Sequence, residues 1–389
     1  MPGLVIRPRS RIFHGHDWVY SSEVQKIFGD PKPGDVISLK DFKDRPLGTA
    51  IYNPESQIVA RRISRRKQEL DPEFFKRRLQ RAETLRQSMG FADPVYRLVW
   101  SEADGLPGVV IDRFGGHFVL QTLTLAMDQR KHMIVAALGE LFDFDSVIER
   151  NDSPIRKAEG LELKSGVLSG DWSGPIEVEA GGIVQKVDLL GGQKTGMYLD
   201  QLDNYAAVAR YASGRSVLDC FCNQGGFALH LAKAGAASVL AVDISEGAVA
   251  ATAENAARNE VSVDTQAANV FDFLKESENA GKKFDLVVLD PPSFTKSRKA
   301  MGGAMRGYKE IHLRALKLLN PDGILSTYCC SHHVNEREFY DVICDATVDA
   351  KRTLRLIERH SQRRDHPIIA TLPETHYLKG FTFQTVGGF

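Results

Sequence analysis

The sequence predicts an α/β chain whose C-terminal half is a doubly wound, mostly parallel sheet, preceded by a β-rich N-terminal module and a central α/β domain. Three observations predict it. From residue 213 onward, short apolar runs alternate with stretches of helical length, as expected for strands covered on both faces by crossover helices. Residues 1–70 hold only short β-type runs, broken by Gly, Pro and Asn. The length of 389 residues exceeds what one hydrophobic core usually serves, which predicts two or three domains.

In chain order, strands are predicted at Leu4–Ile6, Val36–Leu39, Gly48–Tyr52 and Ile58–Ile63. A helix follows at Asp71–Met89, started by Asp71–Pro72. The central domain, 73–190, is expected to hold strands near Leu98–Ser101, Gly108–Arg113, His117–Thr122 and Ser146–Glu149, with a helix at Asp128–Phe142. Gly181–Leu190 reads as one arm of a hairpin before Gly191–Gly192, extending to about residue 203. The doubly wound domain, 191–389, alternates strand Ser216–Cys220, helix Gly226–Ala234, strand Ser238–Asp243, helix Glu246–Asn259, strands Val263–Ala267 and Phe284–Asp290, helix Gly307–Leu319 and strand Gly323–Cys329.

The net charge of zero hides an asymmetry, since residues 1–90 carry 18 Lys/Arg against 11 Asp/Glu. A basic module at one end suits contact with a polyanion such as nucleic acid. Cys220, Cys222, Cys329, Cys330 and Cys344 are odd in number and confined to the C-terminal half, unlike a secreted disulfide framework, so a reducing cytoplasm is expected. No apolar run is long enough to span a membrane, and the N-terminal segment has no signal-peptide core.

In a doubly wound sheet, ligands bind at the carboxyl ends of the strands. The first such end here is Asp219-Cys220-Phe221-Cys222-Asn223-Gln224-Gly225-Gly226. Its glycine pair allows close backbone approach before the helix begins. Asp243 closes the next strand, where a carboxylate can accept hydrogen bonds from ribose hydroxyls. A nicotinamide enzyme would carry G-x-G-x-x-G to seat a pyrophosphate. The acid at the start of this turn suits instead the cationic methionine end of S-adenosylmethionine. At a third strand end, Asn269 is a candidate reader of the adenine amino edge and Phe271 a stacking partner, although Asn there is equally a turn residue. The candidate cofactor set is Asp219, Phe221, Asn223, Gly225, Asp243, Ile244, Asn269, Val270, Phe271 and Asp290.

The string FDLVVLDPPSF brings Asp290 to a strand end, and Pro291-Pro292 stiffen the turn after it. Such a turn can hold a planar base, with Phe294 nearby. Lys296, Arg298 and Arg306 follow in or beside Thr295–Met305, read as a mobile basic loop suited to a nucleic-acid backbone. The neighbouring strand ends in Tyr328-Cys329-Cys330-Ser331-His332-His333. A cysteine there is a candidate nucleophile, or an inert core thiol. Zinc is not expected, because no second ligand pair exists at the required spacing.

These strings together resemble the class I large-subunit ribosomal RNA cytosine-5 methyltransferases, which join an N-terminal PUA domain, a central α/β domain and a Rossmann-like methyltransferase domain with a seven-stranded sheet. The resemblance covers nearly the whole chain. It rests on GHDWVYSSEV, SEADGLPGVVIDRF, ERND, QKTGMYLDQLDN, VLDCFCNQGGFALHLAKAGA, VDIS, DPPSF, CCSHHV and LPETHYLKG.

The resemblance implies that Asp219 and Gly225 line the methionine end of S-adenosylmethionine, Asp243 the ribose and Asn269 the adenine, with Lys194 and Gln201 bordering the pocket. Cys330 matches the family cysteine and Asp290 the Asp of Asp-Pro-Pro. The family's Ser-Cys-Ser reads Cys-Cys-Ser here, which leaves Cys329 as a rival thiol. The implied substrate is 23S ribosomal RNA, either free or in an assembled particle, and a homodimer is left open. Two rival readings remain: methylation of a guanine or adenine nitrogen without a cysteine, and a non-catalytic RNA-binding protein.

Overall fold

The computed structural model describes every residue except 92, 93, 193, 194, 296, 388 and 389. The chain divides into two compact units. One comprises Met1–Val178, Val187–Leu199 and Arg364–Thr375; the other comprises Glu179–Lys186, Asp200–Arg363 and His376–Phe389.

The first unit opens with β1 (Gly3–Ile6), β2 (Trp18–Val19), β3 (Val24–Phe28), β4 (Val36–Asp41), β5 (Pro46–Tyr52) and β6 (Ala60–Ser64). They form one sheet in the order β2-β6-β5-β4-β1-β3, in which only β1 and β4 run parallel. Alternation sends Ile37 and Leu39 inward against Leu4, Ile6 and Ala50. Two of these strands escape sequence reading: β2 is two residues long, and β3 buries no side chain fully.

Helix α1 (Pro72–Ser88) starts as predicted. The Asp71 carboxylate accepts from the Phe74 amide at 2.7 Å, and Pro72 occupies the first turn. Its buried stripe is Phe74, Phe75, Leu79, Ala82 and Arg86. The Arg86 guanidinium, wholly buried, is matched by Asp104, with one bond of 2.8 Å, and donates to the Arg97 and Asp365 carbonyls.

A second sheet contains β7 (Val95–Trp100), β8 (Val109–Phe114), β9 (His117–Thr122), β10 (Ser146–Asn151) and β11 (Lys164–Gly170), ordered β11-β10-β9-β8-β7. Helices α2 (Leu125–Asp128) and α3 (Lys131–Leu141) make the crossover between the parallel strands β9 and β10. The helix expected over 128–142 is α3, and the short α2 before it was not expected.

β12 (Ile176–Ala180) and β13 (Ile183–Val187) form the hairpin. Its turn is Gly181–Gly182, both at positive φ, not Gly191–Gly192 as expected from sequence. Both glycine pairs carry the same local turn signal, but only the first is flanked on both sides by β-pairing residues. Within the second unit, the Val184 amide and carbonyl of β13 both bond the Asn259 side chain, at 2.8 and 2.6 Å.

The second unit continues with α4 (Leu202–Ala209), β14 (Ser216–Cys220), α5 (Gly226–Lys233), β15 (Ser238–Asp243), α6 (Glu246–Arg258), β16 (Asp264–Ala267), α7 (Val270–Asn279) and β17 (Phe284–Leu289). It ends with α8 (Met301–Leu318), β18 (Leu319–Cys329), α9 (Glu336–Asp349), β19 (Leu354–Ser361) and β20 (Lys379–Thr385). The seven strands order as β16-β15-β14-β17-β18-β20-β19, with β20 antiparallel to both neighbours and the rest parallel. Val217, Leu218 and Leu286–Leu289 are buried, as central parallel strands require. Strand order reverses between β14 and β17, so their carboxyl ends flank the switch point.

Helix α8 corrects one expectation: it begins at Met301, so the second half of the expected mobile loop Thr295–Met305 is helical. Gly302 and Gly303 hide this in the sequence. The buried stripe Ala304, Tyr308, Ile311 and Ala315 nevertheless runs at helical spacing from its first turn.

Candidate functional site

The turn after β14 is wound by three left-handed residues, Phe221 (φ 62°), Asn223 (φ 49°) and Gly225 (φ 86°). Asn tolerates that region and Gly is free in it, while Phe221 carries a conformational cost. A Cβ at Gly225 would lie 2.7 Å from Thr252 Cγ2, so the close approach there is to α6 of the protein itself. The Asn223 amide donates to Asp243 Oδ2 at 3.0 Å, and the Ser245 amide donates to Asp243 Oδ1 at 3.0 Å. Asp243 is half-buried at the end of β15, and each oxygen keeps a lone pair for a hydroxyl donor.

Asp219 is 1% exposed. Its Oδ2 accepts from the Ala228 amide at 3.0 Å, in the first turn of α5, whereas its buried Oδ1 has no partner. Burial pushes the carboxyl well above its usual range; the Ala228 bond opposes this, and Asp290 and Asp243 add to the rise. A buried acid with an orphaned oxygen and two acidic neighbours fits a cationic ligand group.

The other candidate cofactor residues separate by environment. Asn269 caps α7, its Oδ1 accepting from the Phe271 amide at 2.9 Å, which occupies part of the acceptor expected to face an adenine amino group. Val270 is in the core, at 3% exposure, while Ile244 is 71% exposed. Phe294 gathers three aromatic rings: Tyr308 at 4.7 Å between centroids, Phe271 at 5.7 Å and Phe221 at 6.4 Å. The turn after β14, the start of α7 and the Asp-Pro-Pro-Ser-Phe strand end therefore share one aromatic cluster.

At that strand end the Asp290 amide donates to the Cys220 carbonyl at 3.4 Å. Asp290 Oδ2 accepts from Gln201 Nε2 at 2.9 Å, and Gln201 Oε1 accepts from Asn204 Nδ2 at 2.6 Å. Pro291 is buried and Pro292 exposed. Arg298 and Arg306 are exposed, at the start of a short 3-10 turn and within α8. Lys194 and Lys296 lie outside the described residues.

The two thiols at the end of β18 differ. Cys329 is fully buried, and its Sγ donates to Tyr308 Oη at 3.4 Å. Cys330, one residue past the strand, is half-buried. Cys220 and Cys222 are core residues whose thiols burial pushes up. Among the described residues, no cluster of three His, Cys, Asp or Glu side chains could hold a metal ion, and no helix is long and apolar enough to cross a membrane.

One functional candidate lies outside the expected set. Lys379 pairs across the sheet with Cys329, and its Nζ donates to the carbonyls of Ser331 at 2.6 Å and Val334 at 2.8 Å. It is 4% exposed; burial lowers its pKa, and the Cys329 and Cys330 thiols oppose that drop. A lysine thus clamps the loop that begins at Cys330. The sequence signal was a lysine at the edge of the apolar run KGFTF, which alone does not distinguish a core position from a strand end.

Comparison with known proteins adds to this geometry. Residues 8–65 match the family of PUA-like domains, and residues 161–379 match the S-adenosylmethionine-dependent methyltransferase family. The ribosomal RNA large subunit methyltransferase I of Tolumonas auensis is 40% identical over 380 residues, covering 95% of this chain and 96% of its own. The protein of that name from Shewanella denitrificans is 42% identical over 373 residues, covering 94% of each chain. Among solved structures, an S-adenosylmethionine-dependent methyltransferase assignment from Streptococcus mutans aligns at TM-score 0.85 with 22% identity, over 99% of this chain and 100% of that one. A methyltransferase structure complexed with SAH aligns at TM-score 0.86, also with 22% identity, over 99% and 100% of the two chains. At that identity the two structures support the fold: a PUA-like module and a Rossmann-like domain.

Proposed function

This chain belongs to the ribosomal RNA large subunit methyltransferase I family, S-adenosylmethionine-dependent enzymes acting on RNA, and from that premise we propose that it methylates carbon 5 of a cytidine in 23S ribosomal RNA through a covalent adduct on Cys330. The observation that carries this reading is the contrast at the end of β18: Cys329 is sealed into the core against Tyr308, which leaves Cys330 as the thiol that a base can meet.

S-adenosylmethionine supplies an electrophilic methyl group on a sulfonium. Asp219, with its orphaned Oδ1, holds the cationic methionine end. Asp243 accepts from the ribose hydroxyls, and Asn269 and Phe271 border the adenine. Cytosine C5 is a poor nucleophile. The Cys330 thiolate adds to C6, which makes C5 enamine-like and able to take the methyl group. S-adenosylhomocysteine is the leaving group of that transfer, and loss of the C5 proton to solvent water then re-forms the double bond and expels the thiolate. The Asp290 carboxylate accepts from the cytosine N4 amino group, held in orientation by Gln201. Pro291 and Pro292 stiffen the turn beneath the base. The buried Lys379 ammonium anchors the loop and sets a positive charge near the thiolate.

Cys330→Ala tests the assignment. The variant binds S-adenosylmethionine in calorimetry as the wild type does and transfers no methyl to protein-free 23S ribosomal RNA. Undiminished transfer overturns the covalent reading and favours a purine nitrogen as acceptor.

A further inference from the structure

We propose that the groove between the end of β6 and helix α1, in the first unit, binds the sugar–phosphate backbone of the RNA substrate. It has a volume of about 570 Å³ and takes Arg62 and Arg65 from the β6 end, Arg78 and Arg81 from α1, and Asp104 and Gly105 from the turn after β7. The proposal rests on the RNA methyltransferase reading and is independent of which base atom is methylated.

The acids lining the groove are already matched. Asp17 accepts from Arg62 at 2.8 Å. Glu102 accepts from Arg61 at 2.9 Å and from the Trp18 indole at 2.7 Å. Asp104 is held by Arg86 and by the Trp100 amide at 2.6 Å. Arg65, Arg78 and Arg81, by contrast, make no ion pair among the described residues. Arg65 and Arg81 are exposed. Arg78 is half-buried and fixed: it donates to the Ile63 carbonyl at 2.9 Å, lies 5.3 Å from the Phe74 ring centre, and sits where a Cβ on Gly105 would be 3.0 Å away.

Burial lowers the pKa of Arg78, and Arg81 and Arg77 lower it further, so these like charges are held together at a cost to the free protein. An anion entering the groove relieves that cost. Guanidinium groups match phosphate oxygens in a planar, two-pronged geometry.

The track continues along the helix. A shallow, open depression along α1 shares Arg81 and Leu85 with the groove and adds Arg77, Gln80, Thr84 and Ser88. Arg77, Arg81, Thr84 and Ser88 recur at three- and four-residue spacing, hence on one face. The other basic groups of α1 are spent elsewhere: Lys76 pairs with Glu140 at 2.7 Å, and Arg86 lies in the core. Cationic groups spread along a helix face suit an extended phosphodiester chain better than one isolated phosphate.

The test uses the full-length protein and a protein-free 23S ribosomal RNA transcript, with Kd measured across a salt series. Arg65→Glu/Arg81→Glu, both at exposed positions, is expected to weaken binding at least tenfold. The slope of log K against log salt should become shallower by ~0.7–0.9 for each phosphate that the protein no longer neutralises. S-adenosylmethionine affinity and Tm should stay at wild-type values, and the milder Arg65→Gln/Arg81→Gln should fall between. Unchanged affinity and slope in both variants, with the wild type binding the transcript, overturn the groove assignment. A wild type that does not bind the transcript overturns the RNA reading itself. Competition by inorganic phosphate or polyglutamate as effective as that by RNA, at equal charge, also overturns the proposal, leaving a general anion site.

Discussion

Gln201 Nε2 and Asp290 Oδ2 are joined by a 2.9 Å hydrogen bond, so the carboxylate at the Asp-Pro-Pro turn is oriented by an amide from just before α4. The Gln201 amide is in turn fixed by Asn204, whose Nδ2 also donates to the Ser361 carbonyl at 3.0 Å. Gln201→Leu is expected to lower the single-turnover methylation rate about 10- to 100-fold through misplacement of Asp290. A change of less than twofold in a quenched-flow measurement contradicts that role.

Burial raises the Asp219 carboxyl, so in the proposed cofactor role it is expected to couple S-adenosylmethionine binding to pH. Its folded value lies above the unfolded value of about 3.9, so between the two the free folded protein holds a proton that the unfolded chain does not. Stability of the free protein therefore falls as pH rises through that window. A cation bound at Oδ1 favours the carboxylate, so S-adenosylmethionine binding releases a proton and tightens as pH rises. Calorimetry in buffers of different ionisation enthalpy should show this release for the wild type and none for Asp219→Asn. Without cofactor at pH 8, the variant should melt no lower than the wild type.

The adjacent thiols should respond oppositely. Cys329→Ala, in the core, is expected to cost ~1–3 kcal/mol in denaturant melts while retaining turnover. Cys330→Ala should leave the melt unchanged and remove turnover. Equal loss of turnover in both variants contradicts the division of roles.

Lys379→Met removes both the loop clamp and the nearby charge. It leaves the Ser331 and Val334 carbonyls without their donor, which costs ~1–3 kcal/mol per buried group. Alkylation of Cys330 by iodoacetamide at pH 7, followed by peptide mass mapping, should slow severalfold, and Lys379→Arg should recover part of the rate. An unchanged rate in Lys379→Met confines the lysine to packing.

The parallel strands β14 and β15 were legible because their burial between helices writes them as short, mostly apolar runs; Ser216–Cys220 and Ser238–Asp243 match residue for residue. The acids at their ends were legible for the same reason, each closing such a run. The antiparallel strands β19 and β20 carry no such signal. β19 has no fully buried residue, and β20 starts at Lys379, whose carbonyl partners are 45 and 48 residues away. Residues Arg364–Thr375 belong with the first unit although the chain around them belongs with the second. Asp365 joins the Arg97 amide at 2.9 Å across 268 residues, a pairing that leaves no local pattern.

The most direct measurement of the central claim uses a 23S ribosomal RNA transcript containing 5-azacytidine, in which nitrogen replaces C5–H and the elimination step is blocked. Incubation with S-adenosylmethionine should give a denaturant-stable protein–RNA adduct, mapped by mass spectrometry to the peptide bearing Cys330, formed by Cys329→Ala and not by Cys330→Ala. Absence of any adduct from a wild-type preparation that methylates unmodified transcript, or a methyl group found on a purine nitrogen, would contradict the account.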